Sequence, residues 1–393
     1  MTKASAKLPF NKYNDIYLKF KLKSGLTAIF LSVVLHAQAQ LFDSPKNIAL
    51  VRTGIDYIYN IQPDSAELYI VKLEHKLPNH PCVPMLRALN VLWTHIPVVS
   101  VDSVFRDFSQ HLRECIRLSA HLDGGRQEHP EAIFFEMSAR GLLAEYYADA
   151  GQYMKALSEA GKAYDLIKSG FELTDQVPDF LLTTGVYNYF REKYPEKHPV
   201  YKPLLWFFRA GDVELGLAQI TAATERALLT QVEAYVYLAY IYLRYEYKPE
   251  KAQRFLWELA KKYPNNFYIK AKLLESLTPK GDFEEAPMEY IKELKQSDRP
   301  YYQLAGNSFY GLYLEQVTLE VGRAADFYRK ALASGSQIVG HGTYYKSLAH
   351  LGLGRIAAKQ GDTAEAEYHY EQVLEITETD TFRKKAERLL KML

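Results

Sequence analysis

His75, His80 and His95 lie close along the chain to Cys82, and imidazole nitrogens with a thiolate are the donors that hold zinc. Their spacings match no standard ligand template, and all fall around proline turns, so they read as solvated or capping histidines. His341, in SQIVGHGTYY, sits in a glycine-rich connection and reads as flexible linkage. Gly352-x-Gly354-x-x-Ala357 has the outline of a dinucleotide fingerprint, but that chemistry needs a preceding strand, and here the glycines lie in a helix-period segment. H-E-x-x-H, G-x-S-x-G, the P-loop and paired C-x-x-C are absent. The expectation is a non-enzyme with no catalytic residue, cofactor or metal.

The stretch GVYNYFREKYPEKHPVYKPLLWFFRAGD, Gly185 to Asp212, is the densest in rings and cations. It carries eight aromatic residues, five Lys or Arg, and Pro195, Pro199 and Pro203 spaced by four. Its surface candidates are Tyr187 and Tyr201, in a region that would suit an apolar or aromatic ligand such as a lipid or glycan.

The elements that must position such groups follow from composition and period. At 393 residues, 48% apolar and 24% charged, the chain is a folded protein with room for several domains or one repeat array. Its net charge of +1 gives no global basic field for nucleic acid. Lys19, Lys21 and Lys23 precede the apolar run GLTAIFLSVVL and then HAQAQ, which places a signal cleavage between Ala39 and Gln40. Eleven apolar residues are too few to span a bilayer comfortably. Loss of residues 1–39 takes away six of the 48 basic and one of the 47 acidic residues, leaving a net charge of −4. The expectation is an exported protein, periplasmic in a Gram-negative envelope, with no transmembrane segment after signal removal and peripheral envelope association open to it. Retention of the apolar run as an anchor is the alternative.

Export gives the two cysteines a meaning. Helices on either side of IPVVSVD would bring Cys115 level with residue 84, near enough for a disulfide with Cys82 in an oxidising compartment. Two separate small buried hydrophobes are the other reading.

Period-two alternation is absent, and the Tyr and Val runs keep helical spacing, so the fold class is all-α. A spacing recurs along it. GRIAAKQGDTAEAEYHYEQVLEI has a small Gly354, a Gly361-Asp362 turn, then Ala366, Tyr370 and Val373. Gly54 is followed by Ala66, Ile70, Leu73 and Pro78. Ala144, Gly151, Ala156, Ala160 and Ala163 repeat the pattern, as do Ala252, Leu256, Ala260 and Pro264. Gly281, Ala286 and Tyr290 follow, then Ala324, Tyr328 and Ala331. Small residues let two helices cross closely while larger ones fill the groove beside them.

This pattern resembles the tetratricopeptide repeat, a helix–turn–helix unit of about 34 residues. The resemblance implies an α-solenoid of about seven or eight helix pairs with a capping helix at 380–392, residues 82–135 forming a divergent pair. The expected organisation is a signal peptide at 1–39, repeats at 40–175, a proline- and aromatic-rich connection at 176–203, and repeats with the cap at 204–393.

The resemblance also implies a concave groove walled by the first helices. Its groove-facing offsets fall on Glu145, Tyr237, Arg244, Tyr245, Phe309, Tyr313, Gln316, Arg355 and Lys359. Tyr and Arg are the types that anchor peptides, which implies a non-catalytic scaffold for a protein or peptide partner. The groove lacks the density of Lys, Arg and Asn with which the family's peptide clamps read a carboxylate. GVYNYF with GDVELGLAQITAATE resembles a eukaryotic tetratricopeptide family linked to mitochondrial outer-membrane and inclusion clearance, over about 60 residues. That family lends no catalytic residues. Aligning Gly211-Asp212 on Gly361-Asp362 makes WFFRAGD the end of a first helix and its turn, with two of Trp206, Phe207 and Phe208 in the core.

Overall fold

A computed structural model describes residues 41–197, 199, 202, 206, 208–281, 285–338 and 340–393. The expected signal peptide, its Ala39–Gln40 cleavage point, Tyr201 and Phe207 lie outside the described residues. The described residues contain helices and no strand. The first eight helices are α1 (Pro45–Tyr59), α2 (Pro63–Lys76), α3 (Cys82–Thr94), α4 (Asp102–Leu122), α5 (Pro130–Asp149), α6 (Tyr153–Leu173), α7 (Phe180–Lys197) and α8 (Val213–Arg226). The next five are α9 (Gln231–Arg244), α10 (Pro249–Lys262), α11 (Phe267–Leu277), α12 (Glu285–Gln296) and α13 (Pro300–Gln316). The last four are α14 (Val321–Gly335), α15 (Thr343–Gln360), α16 (Thr363–Ile376) and α17 (Asp380–Leu390).

Local chemistry sets these boundaries. Pro45, Pro63, Pro130, Pro249 and Pro300 open their helices where a missing N–H costs nothing. Asp212, Asn266 and Asp362 cap α8, α11 and α16 by accepting the backbone N–H three residues on. Gly361, at φ 81°, closes α15 in the left-handed conformation.

The helices pack in successive pairs, α1 on α2 through α15 on α16, with α17 against α16 and α15. Within most pairs the first helix also touches the first helix of the next, as α11 touches α13 and α13 touches α15. That is the arrangement of an α-solenoid. The small and large anchors explain the close crossings. Ala66, Ile70 and Leu73 are fully buried, as are Ala324, Tyr328 and Ala331, and Ala366 and Val373. A Cβ on Gly354 would lie 2.5 Å from the Tyr370 ring, and one on Gly352 2.1 Å from Tyr328. The tyrosines of second helices thus fill notches that glycine leaves in first helices.

The solenoid also closes on itself. Tyr59 at the end of α1 donates to Glu233 of α9 at 2.7 Å, and Tyr263 donates to Asp56 at 2.8 Å. Asn266 Nδ2 donates to the Tyr59 carbonyl at 2.8 Å. Tyr59, Trp93 and Tyr268 pack edge to face, with ring centroids 4.8 and 5.7 Å apart. One continuous core therefore joins the first three helix pairs to α9, α10 and α11. Near the C-terminus, Lys197 lies 3.5 Å from Asp380, which also accepts from Tyr247.

The 185–212 stretch departs from expectation. Helix α7 runs through REKYPEK to Lys197, so the first helix ends before WFFRAGD and most of 176–203 is helix rather than connection. Pro195 sits in its last turn, where it forfeits one helical hydrogen bond while Phe180, Leu181, Leu182 and Tyr189 remain buried. Lys197 Nζ holds the end of α7 to the Arg244 carbonyl at 2.7 Å. Trp206 and residues 208–212 lie between α7 and α8. Trp206 is 89% exposed and so is not one of the two rings expected in the core, and Phe208 is half-buried against Tyr164. The downstream register holds, with Asp212 capping α8 and Gly216, Ile220 and Ala223 buried. No helix among the described residues is long and apolar enough to cross a membrane.

Candidate functional site

Helix α9 carries side chains that meet groups from α1, α3, α5, α11 and α15. Its N-terminus is fixed from a distance by the buried Asp179. One carboxylate oxygen accepts from Leu229 N at 2.6 Å, Thr230 N at 2.8 Å and Thr230 Oγ1 at 3.1 Å. The other accepts from Leu228 N at 3.1 Å. Burial pushes the Asp179 pKa up and outweighs the downward pull of these four donors.

So anchored, α9 presents Glu233, Tyr237, Tyr240 and Arg244 at spacings of four, three and four, which is one helical face. Glu233 accepts from Tyr59 of α1 and, at 3.3 Å, from Trp93 of α3. The Tyr237 hydroxyl donates to Glu145 of α5 at 3.4 Å. Arg244 pairs with the buried Glu275 of α11 and lies 4.8 Å from the Tyr344 ring of α15. Lys272, one turn before Glu275, reaches the same carboxylate at 2.6 Å. A small, mostly apolar cavity of about 20 Å³ lies between α9, α10 and α11, where Val236, Leu243 and Leu256 line it together with Tyr240, Arg244 and Tyr268.

Two environments result. Glu145 is exposed to water and accepts a hydrogen bond from Tyr237. Desolvation by the surrounding protein, then the Asp149 and Glu233 charges, push its pKa up. The Glu145 charge, reinforced by burial, drives Tyr237 well above the ordinary phenol value. At the other end, burial pushes Glu275 up, but Arg244 and Lys272 outweigh it and hold the carboxyl below its usual range. Burial lowers the Lys272 pKa despite the same Glu275.

Of the sequence-derived groove positions, Glu145 and Tyr237 share the hydrogen bond at 3.4 Å, and Arg244, further along the same face of α9, pairs with Glu275. Phe309 is fully buried against Tyr345, with ring centroids 5.6 Å apart. Tyr245 packs edge-on against Phe190 at 5.1 Å, beneath Lys197. Tyr313 stacks on Tyr310, Gln316 is exposed at the end of α13, and Lys359 is exposed in the last turn of α15. Arg355 forms a two-pronged pair with Glu315 at 2.8 and 2.6 Å, which fixes α15 to α13. Tyr187 stacks on Tyr164 and donates to the Arg209 carbonyl at 2.5 Å, tying α6 and α7 to the connection. Cys82 and Cys115 are both buried free thiols. His80 accepts from Cys82 N at 3.2 Å, and its other nitrogen lies 2.8 Å from Glu131. His80 is therefore a capping histidine for α3.

Sequence reasoning missed Glu233, Tyr240, Tyr268, Lys272 and Glu275. Glu233 and Tyr240 carried a usable signal, one turn on either side of Tyr237. Tyr268, Lys272 and Glu275 share a face of α11 by the same spacing.

Compared with known proteins, the chain matches no family model, and no curated protein matches it.

Proposed function

We propose that this chain is a non-catalytic helical-repeat scaffold that binds a peptide segment of a protein partner in its concave interior. The repeats are of the tetratricopeptide kind, with α17 as their cap, and the N-terminal sequence supports export to a Gram-negative periplasm. One observation carries the reading. The inner face of α9 offers Tyr237 and the 44% exposed Tyr240 between charged ends, inside a wall built from α1, α3, α5, α11 and α15. A partly exposed aromatic ring beside charged groups is a type of anchor with which proteins hold peptide side chains.

The test is selection from a random dodecapeptide phage library on the immobilised chain, with a Tyr240→Ala protein as the counter-target. Expected are peptides that the parent chain retains and Tyr240→Ala releases. Peptides retained equally by both proteins would contradict the reading. So would the absence of any enriched peptide alongside a co-purifying lipid or glycan found by native mass spectrometry.

A further inference from the structure

A second surface lies where α12 and α14 flank α13. Tyr310 and Tyr313 of α13 stack with ring centroids 6.1 Å apart, and Phe327 of α14 meets Tyr310 edge-on at 4.6 Å. All three rings are half-buried. Lys295 of α12 reaches across two of them, with its Nζ 3.4 Å from the Tyr310 centroid and 4.5 Å from that of Phe327. Lys330 of α14 brings a second ammonium to 4.6 Å from the Phe327 centroid. Side chains of three helices thus converge on one ring-backed patch, whose ring faces hold the two ammonium groups. Its positive charge is not offset. Among the described residues no carboxylate pairs with Lys292, Lys295 or Lys330, whereas Glu320 holds Arg323, Asp326 holds Arg329, and Glu293 turns to Lys270. Burial, then the charges of Lys330, Arg323 and Lys292, lower the Lys295 pKa.

From the convergence of Lys295 and Lys330 on Phe327, with no carboxylate to answer them, we propose that the face formed by α12, α13 and α14 docks an acidic peptide segment of a partner protein. Aspartate or glutamate side chains of the segment pair with Lys292, Lys295 and Lys330, and its apolar positions lie on Tyr313 and Phe327. Charge complementarity selects this occupant, since a basic segment is repelled and a neutral one leaves three like charges facing each other. A bilayer would call for rings that project outward, and these lie half-buried between helices. The surface is built from other helices than the α9 face, so the inference goes beyond the reading above and does not rest on it.

The experiment repeats the dodecapeptide selection on the full chain, now with a Lys295→Gln, Lys330→Gln protein as the counter-target. Expected are peptides rich in Asp and Glu that the parent retains and the double variant releases. A synthetic peptide from this set should bind Lys295→Gln about fivefold more weakly, the upper range for one exposed ion pair. It should bind Lys295→Arg within about twofold of the parent, since that change keeps the charge, and Tyr240→Ala as well as the parent. Added salt should weaken binding to the parent more than to the double variant. Lys330 is exposed, so Lys330→Gln alone tests the same direction if circular dichroism shows Lys295→Gln misfolded. Peptides without acidic residues, equal retention by the double variant, or equal losses in Lys295→Arg and Lys295→Gln would overturn the inference. Pelleting of the parent with phosphatidylglycerol vesicles, abolished in the double variant and with no acidic peptide enriched, would assign the surface to lipid and overturn it too. Peptides released by Tyr240→Ala form a separate set, so the α9 reading stands or falls by its own selection.

Discussion

Asp179→Ala removes the acceptor that fixes the start of α9, and with it the orientation of the Glu233–Arg244 face. Two backbone N–H groups, of Leu229 and Thr230, donate to its carboxylate at 2.6 and 2.8 Å, and Leu228 N adds a third. Loss of a capping side chain costs roughly 0.5–2 kcal/mol. A buried donor left without a partner costs about 1–3 kcal/mol. Since water can reach some of the freed groups once the site opens, the combined loss is about 3 kcal/mol. Asp179→Asn is the sharper control. Its single carbonyl oxygen can keep the bonds from Leu229, Thr230 N and Thr230 Oγ1 and the 3.2 Å contact from Leu228 N, giving up only the 3.1 Å bond from Leu228 N to the second oxygen. Burial already raises the Asp179 pKa, so losing the charge costs little, and about 1 kcal/mol is expected. Repeat arrays open in parts, so amide hydrogen exchange is the suitable assay. The amides of 228–230 should exchange about a hundredfold faster in Asp179→Ala and less than tenfold faster in Asp179→Asn. Equal damage from both variants would refute the reasoning, since charge and not acceptor geometry would then be at work. So would unchanged exchange in Asp179→Ala.

Three further outcomes follow from the packing. Gly354→Leu drives a side chain into the Tyr370 ring, where even a Cβ would approach to 2.5 Å, and should cost about 1–3 kcal/mol in urea unfolding; an unaffected midpoint would deny the close crossing. Trp206→Ser should change stability by no more than about 0.5 kcal/mol, because the ring is 89% exposed; a larger loss would return Trp206 to the core. The buried His350 and His369 face each other with Nδ1 atoms 2.9 Å apart. Burial, then His369 and Lys346, lower His350 from 6.5 to about 4, and burial lowers His369 as well. Because the folded values lie below the unfolded one, this contribution is complete above pH 6.5 and is lost as pH falls toward 4. His350 alone should cost about 2 kcal/mol at pH 5 relative to pH 8, read as the difference between the parent and His350→Gln. Parallel pH profiles for the two would contradict it.

Helix pairing was legible because it is local. Small residues at crossings and glycines at turns repeat at short offsets, so Ala66, Ala324 and Ala366 could be placed in the core from spacing alone. The contact between the two ends of this stretch left no such trace, since Tyr59 and Glu233 are separated by 174 residues and meet only in the folded chain. That is why Glu145 and Tyr237 could be picked out singly but not as one site. The 185–212 stretch was misread for a different reason. Its prolines imitate helix breaks, yet Pro195 falls in a last turn already committed by the buried Tyr189 and anchored through Lys197. Phe309 shows the converse limit, because first helices such as α13 are buried around much of their circumference and an offset alone does not give the groove side.

The central claim is that a peptide binds inside the concave wall, on the inner face of α9. Its most direct measurement replaces Tyr240 with a photo-crosslinking benzophenone amino acid and irradiates the full chain with a selected peptide. A second protein carries the crosslinker at Tyr368, which is 54% exposed on α16. The account predicts a covalent adduct at position 240 and none at 368. Adducts of equal yield at both positions, or at 368 alone, would contradict it.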